Sequence, residues 1–208
     1  MSHVLGDVLT DAAHGRFPEP DGGVEVVAPW KPGVAGVVAL TGRAYVATTR
    51  DAREVLAQGP DGYGKALDPA FIAWLAGADG WCDCLDILVA GVGTGRGGPQ
   101  LRDDLTHHRR LQHARQVRDD VVVHGDDRGM ITLGTGIGGL REIGVEVPAP
   151  DRNRGVGRSL VADALGLVPA GEPVLGAVAP GNAASLRAFL AAGFQPVGAA
   201  HLVRPADA

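Results

Sequence analysis

The segment at 145–159 constrains this chain more than any other, because it joins a strand, a glycine turn and a helix with no spacer. It reads VEVPAPDRNRGVGRS. Apolar residues at 140–147 predict a strand that ends at Pro148, and apolar residues at helical spacing predict a helix over 155–167. The segment therefore favours a fold in which strands and helices alternate.

The start of this helix is a predicted anion-binding site. The first backbone N–H groups of a helix lack partners within it, and the helix dipole adds roughly half a positive charge there. Glycine at the turn lets a phosphate approach the backbone closely. Arg152, Arg154 and Arg158 surround the turn with positive charge. The alternative interpretation is a strand-to-helix turn whose arginines are simply solvated.

The remaining apolar patterns and turn signals predict a mixed α/β protein. Helices are predicted at 4–13, 51–58, 68–76, 101–115, 155–167 and 183–192. Strands are predicted at 24–28, 34–49 (a hairpin broken at 41–42), 85–90, 117–124, 130–133, 140–147, 174–179 and 194–203.

Composition excludes several classes of protein. The 208 residues are 45% hydrophobic, which argues against a disordered chain, and the net charge of −5 argues against a nucleic-acid partner. No apolar run reaches the roughly 18 residues of a membrane helix, and the first residues lack a signal-peptide pattern, so we expect a cytoplasmic protein. Two cysteines, Cys82 and Cys84, make neither a disulfide framework nor a zinc site. Abundant glycine and scarce lysine are typical of a bacterial genome rich in GC.

A second motif follows about 25 residues after the glycine turn. Residues 178–194 read VAPGNAASLRAFLAAGF, a strand end, an asparagine, a helix and Gly-Phe. Together with RNRGVG at 152–157, this segment resembles the two signatures of the GNAT superfamily of N-acetyltransferases. EIG at 142–144 is similar to the fourth strand of many members. The resemblance covers about 117–203.

The resemblance implies a GNAT-like fold, with a central mixed, mostly antiparallel sheet flanked by helices. Residues 116–205 would form the acetyl-CoA-binding domain. Residues 1–115 match no part of the family pattern and would add strands and helices, as a degenerate GNAT-like half or an acceptor-pocket region. The implied activity is acetyl transfer from acetyl-CoA to a primary amine of a small molecule or peptide by direct attack, without a metal. Family members are often homodimers.

The resemblance also assigns roles to particular residues. The strand at 140–147 would splay from that at 174–179, and the backbone of Val145 and Val147 would pair with the pantetheine arm. The Val145 N–H would stabilise the developing oxyanion. The other implied cofactor-binding residues are Arg152, Asn153, Arg154, Gly155, Val156, Gly157, Arg158, Ser159, Asn182 and Ser185.

Two glutamates are candidates for the general base. Period-two alternation places Glu142 and Glu146 on one face of the strand, about 13 Å apart, so both cannot reach one thioester. Glu142 is favoured because it matches the family's EIG position, and Glu146 is the second candidate. In the remaining alternative, both form salt bridges with neighbouring arginines.

Other features support rival functions. Phe189 stands where many family members carry the tyrosine that protonates the leaving thiolate, so a catalytically silent acyl-CoA-binding or regulatory protein is one alternative. A nucleotide-binding oxidoreductase centred on the glycines at 91–98 is another, although their spacing fits no nucleotide motif. His107, His108 and His113 are interpreted as part of a solvated helix rather than as metal ligands.

Overall fold

The computed structural model describes residues 2–152 and 154–206. It is a mixed α/β protein, as expected from the sequence. Its helices are α1 (Val4–Ala13), α2 (Ala52–Ala57), α3 (Pro69–Ala76), α4 (Arg109–Val117), α5 (Val156–Gly166) and α6 (Ala183–Ala191). Its strands are β1 (Val24–Val27), β2 (Ala35–Leu40), β3 (Arg43–Ala47), β4 (Trp81–Val92), β5 (Asp119–Asp126), β6 (Gly129–Thr135), β7 (Arg141–Glu146), β8 (Pro173–Val178) and β9 (Gln195–Arg204).

The chain folds into two compact units, Met1–Ile87 with Val197–Ala208, and Leu88–Pro196. The chain therefore passes from one unit to the other within β4, and most of β9 belongs to the first unit. The functional division into 1–115 and 116–205 stays a prediction.

The first unit is built on a sheet that contains the order β1-β3-β2-β9. β2 and β3 form the hairpin expected at Thr41-Gly42, β1 lies parallel to β3, and β9 lies antiparallel to β2. Asp51 and Asp68 cap α2 and α3 through side-chain oxygens that accept backbone N–H groups. Apolar side chains of these helices and strands form one buried core.

The second unit contains the strand order β8-β7-β6-β5. β6 pairs antiparallel with both β5 and β7, whereas β7 and β8 are parallel. Successive side chains of β7 point to opposite faces of the sheet in this unit. Helix α4 covers the face of Glu142 and Gly144, where side chains of the two elements meet. Helix α5 lies on the other face, close to Val147.

The helix predicted at 101–115 is the clearest departure from expectation. Leu101 instead forms a bridge with His124, 103–105 form a short 3-10 turn, and α4 runs from Arg109 to Val117. Charged residues surround the few apolar ones before Arg109, so no apolar face holds that stretch as a helix. Because α4 extends to Val117, β5 begins two residues later than expected, at Asp119.

Candidate functional site

β7 and β8 pair along only part of their length. Three residue pairs join them, the last being Ile143 with Gly176. β7 continues to Glu146 and β8 to Val178 without further pairing between these described residues, although β6 accompanies β7 to Glu146. The edge of β7 towards β8 therefore opens at Gly144. An open strand edge offers backbone N–H and C=O groups to an extended ligand. Val145 lies within this open stretch.

The start of α5 lies close to the end of that edge. A β-carbon on Gly157 would lie 3.8 Å from Val147 Cγ2 and 3.6 Å from Ala188 Cβ, so the helix start adjoins both β7 and α6. Gly155 precedes the helix at φ 82°, a conformation that favours glycine, and none of the described side chains caps the helix there. The first backbone N–H groups of α5, from Val156, are therefore placed to bind an anion.

The arginines of the turn differ in their surroundings. Arg152 Nε donates a hydrogen bond to the Val147 carbonyl at 3.1 Å, which ties the turn to the end of β7. Arg154 Nη1 lies 3.8 Å from Asp151 Oδ1, and Arg158 is exposed. Asn153 lies outside the described residues. The predicted roles of these residues towards a cofactor stay predictions.

The Ser159 hydroxyl already has protein partners. It donates to the Val156 carbonyl at 2.9 Å and accepts from Arg128 Nη1 at 3.0 Å. Arg128 also donates to Asp126 and Asp163, and these hydrogen bonds connect the β5–β6 turn to α5. The Arg128 guanidinium holds the pKa of the Asp126 carboxyl below its usual range. In this arrangement Ser159 stabilises the helix start.

Asn182 and Ser185 meet at the start of α6. Asn182 Oδ1 accepts the Ser185 backbone N–H at 3.1 Å, which caps the helix. Asn182 is exposed, and an amide that uses its oxygen for capping keeps its NH₂ group as a donor. That donor is compatible with the predicted cofactor contact, which stays a prediction.

Phe189 is a core residue. Its ring is 2% exposed and packs edge-on against Phe194, with centroids 5.0 Å apart. It also covers Gly176 of β8, where a β-carbon would lie 2.5 Å from the ring. A ring buried in this way supports the strand beside the open edge and supplies no proton to a leaving group.

Glu142 is held in a buried ion pair. Its side chain is 5% exposed, and Arg118 Nε donates to Glu142 Oε1 at 2.8 Å, with Arg118 Nη2 closer still. The second carboxylate oxygen lies against Gly136, because a β-carbon there would be 2.1 Å from Oε2. A carboxylate enclosed by a guanidinium and backbone is poorly placed to accept a proton from a substrate.

Glu146 has a more open environment on the same face. Its side chain is 25% exposed, and its Oε1 lies 4.0 Å from His108 Nε2. His108 is the N-cap of α4, and its Nδ1 accepts the Arg110 backbone N–H at 3.2 Å. Arg110 lies near Gly144, between the two glutamates.

Sequence reasoning missed both partners from the α4 region, Arg118 and His108. No local pattern links either residue to β7, because each contact depends on how α4 packs across the sheet. The third alternative for the two glutamates, ion pairing with neighbouring arginines, describes Glu142. Its partner, Arg118, follows the end of α4 and does not come from the glycine turn.

Three of the five glycines at 91–98 donate backbone hydrogen bonds. The N–H groups of Gly93, Thr94, Gly95 and Gly97 donate to carbonyls at the end of α5 and in the loop that follows it. These donors are therefore not available to a phosphate, which argues against a nucleotide site in this segment.

Within residues 2–152 and 154–206, no group of three or more His, Cys, Asp or Glu side chains is placed to hold a metal ion. No helix in these ranges is long and apolar enough to cross a membrane.

Comparison with known proteins gives a sparse result. No family model matches the chain, and no curated protein sequence matches it. One solved structure with a match is a candidate acetyltransferase of the GNAT family from Novosphingobium aromaticivorans DSM 12444. It is 16% identical, with a TM-score of 0.34, over 61% of this chain and 68% of that chain. At so low a TM-score the likeness adds no support for a function.

Proposed function

We propose that this protein is an acetyl-CoA-dependent N-acetyltransferase that acetylates a primary amine. The observation that carries the proposal is the open edge of β7, which ends beside the uncapped start of α5. An extended pantetheine arm needs a strand edge for its amides, and a pyrophosphate needs clustered N–H donors and positive charge. In the second unit the open edge of β7 and the start of α5 lie side by side, and this arrangement supports the proposal.

In this proposal each part of the edge has a separate task. The backbone at Val145 pairs with the pantetheine arm, and the N–H groups at 156–158 bind the pyrophosphate with Arg158. The amine attacks the thioester carbonyl directly, and the Val145 N–H stabilises the negative charge that develops on the oxygen. The thiolate departs without a protein acid at position 189.

Gly157→Ala tests the cofactor site. The added methyl group has room in the folded chain, because its nearest neighbours would lie 3.6 and 3.8 Å away. Alanine also favours a helix over glycine, so we expect the free energy of unfolding to stay equal or rise by up to about 1 kcal/mol. The same methyl group blocks close approach of a pyrophosphate, so the Kd for acetyl-CoA should rise at least about tenfold.

Calorimetric titration with acetyl-CoA, CoA and NAD measures this effect. Arg158→Ala should weaken binding of both CoA forms, and Arg115→Ala, which removes an exposed arginine from α4, is its matched control. Wild-type protein that binds neither CoA form would overturn the proposal. NAD binding without CoA binding would instead favour the oxidoreductase.

A second candidate function is a protein that binds acyl-CoA without turning it over. The ion pair that engages Glu142 and the buried phenyl ring of Phe189 both favour it. Thiol release from acetyl-CoA in the presence of primary amines separates the two functions. Binding of acetyl-CoA with no release above the uncatalysed rate would favour the silent protein.

A further inference from the structure

We propose that Arg128, in the turn between β5 and β6, positions the first turn of α5 for the pyrophosphate of acetyl-CoA. This inference rests on the proposed acetyltransferase function. It adds a residue that lies outside both sequence signatures and acts through another residue rather than on the cofactor itself.

The β5–β6 turn holds the Arg128 side chain in one place. Asp126 Oδ1 accepts the Arg128 backbone N–H at 2.9 Å, and Asp126 pairs with Gly129 where the two strands meet. The guanidinium donates from Nε to both Asp126 carboxylate oxygens at 3.1 Å and from Nη2 to Oδ2 at 2.6 Å. An arginine fixed within its own turn by charge-assisted hydrogen bonds presents its remaining donors in a set direction.

Those remaining donors reach two residues on one face of α5. Nη1 of Arg128 donates to Ser159 Oγ at 3.0 Å, and Nη2 donates to Asp163 Oδ2 at 2.6 Å. Residues four apart in a helix are neighbours on the same face, so the guanidinium spans one turn of α5. The contact therefore sets both the position and the rotation of the helix against the β5–β6 turn.

Ser159 carries this contact to the anion-binding end of α5. Its hydroxyl donates to the Val156 carbonyl at 2.9 Å while it accepts the hydrogen bond from Arg128. Val156 is the first residue of the helix, and its N–H is one of the proposed pyrophosphate donors. None of the described side chains caps this helix start, so the direction of its N–H groups depends on contacts such as that of Ser159.

The β5–β6 turn also touches the end of β7. A β-carbon on Gly129 would clash with the Glu146 carbonyl oxygen and would lie 3.1 Å from Leu160 Cδ1, so the turn fits closely against both β7 and α5. One turn therefore contacts both parts of the proposed site, the strand with the open edge and the helix that would bind the pyrophosphate. This arrangement favours a role for the turn in holding the two parts at a fixed spacing.

A purely electrostatic role for Arg128 is the alternative. Loss of the guanidinium would leave the Asp126 and Asp163 carboxylates beside α5 without that counter-charge. Asp163 lies seven residues after Val156, about 10 Å along the helix, and the Debye length at physiological salt is about 8 Å. Screening therefore weakens repulsion between Asp163 and a pyrophosphate, whereas the hydrogen bond through Ser159 acts directly on the first turn.

Calorimetric titration with CoA and with pantetheine tests the inference, because pantetheine lacks the phosphates. Arg128→Gln removes the guanidinium, and Arg128→Lys keeps the charge without the fork of donors. The double variant Arg128→Gln/Asp163→Asn also removes a carboxylate that has lost its counter-charge. Arg102→Gln, which breaks the exposed pair with Asp104 in the same unit, is the matched control.

We expect Arg128→Gln to raise the Kd for CoA about tenfold and to leave the Kd for pantetheine within about twofold of wild type. Arg128→Lys should raise the Kd for CoA about threefold. The double variant should still bind CoA at least about fivefold more weakly than wild type, because removing a charge does not restore the position of the helix start. Arg102→Gln should bind both ligands as wild type does.

Hydrogen exchange of the ligand-free proteins supplies a second measurement. The N–H groups at 159–162 close the first turns of α5, and that of Ser159 donates to the Gly155 carbonyl at 3.2 Å. Exchange at 159–162 should be faster in Arg128→Gln than in wild type, because the first turn opens more often. This measurement decides the matter if pantetheine binds too weakly to titrate.

Several outcomes would overturn the inference. An equal rise in Kd for CoA and pantetheine in Arg128→Gln would indicate a general structural role. An unchanged Kd for CoA, a double variant that binds CoA as wild type does, or unchanged exchange at 159–162 would overturn it as well. In each of these cases wild-type protein still binds CoA, and the proposed function stands. Wild-type protein that does not bind CoA would refute the proposed function itself.

Discussion

Replacing Glu142 with glutamine tests whether its pairing with Arg118 holds the second unit together. At 2.8 Å and an effective dielectric constant of about 20, the gross attraction between the two charges is about 6 kcal/mol. Desolvation of two buried ions offsets most of this attraction. Removing only the carboxylate charge leaves a guanidinium that is 10% exposed without its counter-charge. Such a break costs about 3–5 kcal/mol, and we expect the lower end because the amide still accepts a hydrogen bond.

Urea denaturation followed by circular dichroism measures the change in the free energy of unfolding. Hydrogen exchange of β6 and β7 assigns that change to the second unit. The double variant Glu142→Leu/Arg118→Met should lie within about 1 kcal/mol of wild type, because an apolar pair replaces both ions. Asp104→Asn breaks the exposed Arg102 pair and should cost less than about 1 kcal/mol. A loss below 1 kcal/mol in Glu142→Gln, or a double variant no better than the single one, would refute this account of the pair.

Two further predictions concern packing and thiol chemistry. Gly136→Ala should lower the free energy of unfolding by about 1–3 kcal/mol, because the added methyl group would displace the Glu142 carboxylate. Gly181→Ala is the control, since its methyl group would lie in open space, and it should leave the free energy of unfolding unchanged in the same urea assay. Partial desolvation of the sulfur and the nearby Asp86 carboxylate raise the pKa of the Cys84 thiol to about 12. Since the thiolate is the reactive form, alkylation of Cys84 by iodoacetamide near pH 8 should be about a thousandfold slower than that of an ordinary cysteine. The rate should rise as the pH rises towards 12, and peptide mass spectrometry measures it. An ordinary rate near pH 8 would contradict this pKa.

Local signals predicted much of the fold. The hairpin turn at 41–42 and the helices predicted at 51–58 and 68–76 each depend on residues next to the element they define, and the structure has all three. The start of α4 was predicted wrongly at 101. A histidine side chain caps it at position 108, and charged residues before it give no apolar pattern to mark the boundary.

The same distinction applies to the site. The glycine turn and the uncapped helix start are neighbours in sequence, so their combination could be predicted from residues alone. The interactions of the two glutamates could not be predicted in this way. Alternation placed Glu142 and Glu146 on one face, but their different partners, Arg118 and His108, come from opposite ends of α4. Only the packing of that helix across β6 and β7 separates a buried ion pair from an open carboxylate.

Hydrogen exchange with and without acetyl-CoA tests most directly whether the open edge of β7 is the cofactor site. If this edge binds the cofactor, saturating acetyl-CoA slows exchange of backbone amides at 144–147 and 155–159. The first half of α4 and the glycines at 91–98 should change little. Protection confined to other segments, or none at saturating acetyl-CoA, would contradict the assignment of this edge and with it the proposed function.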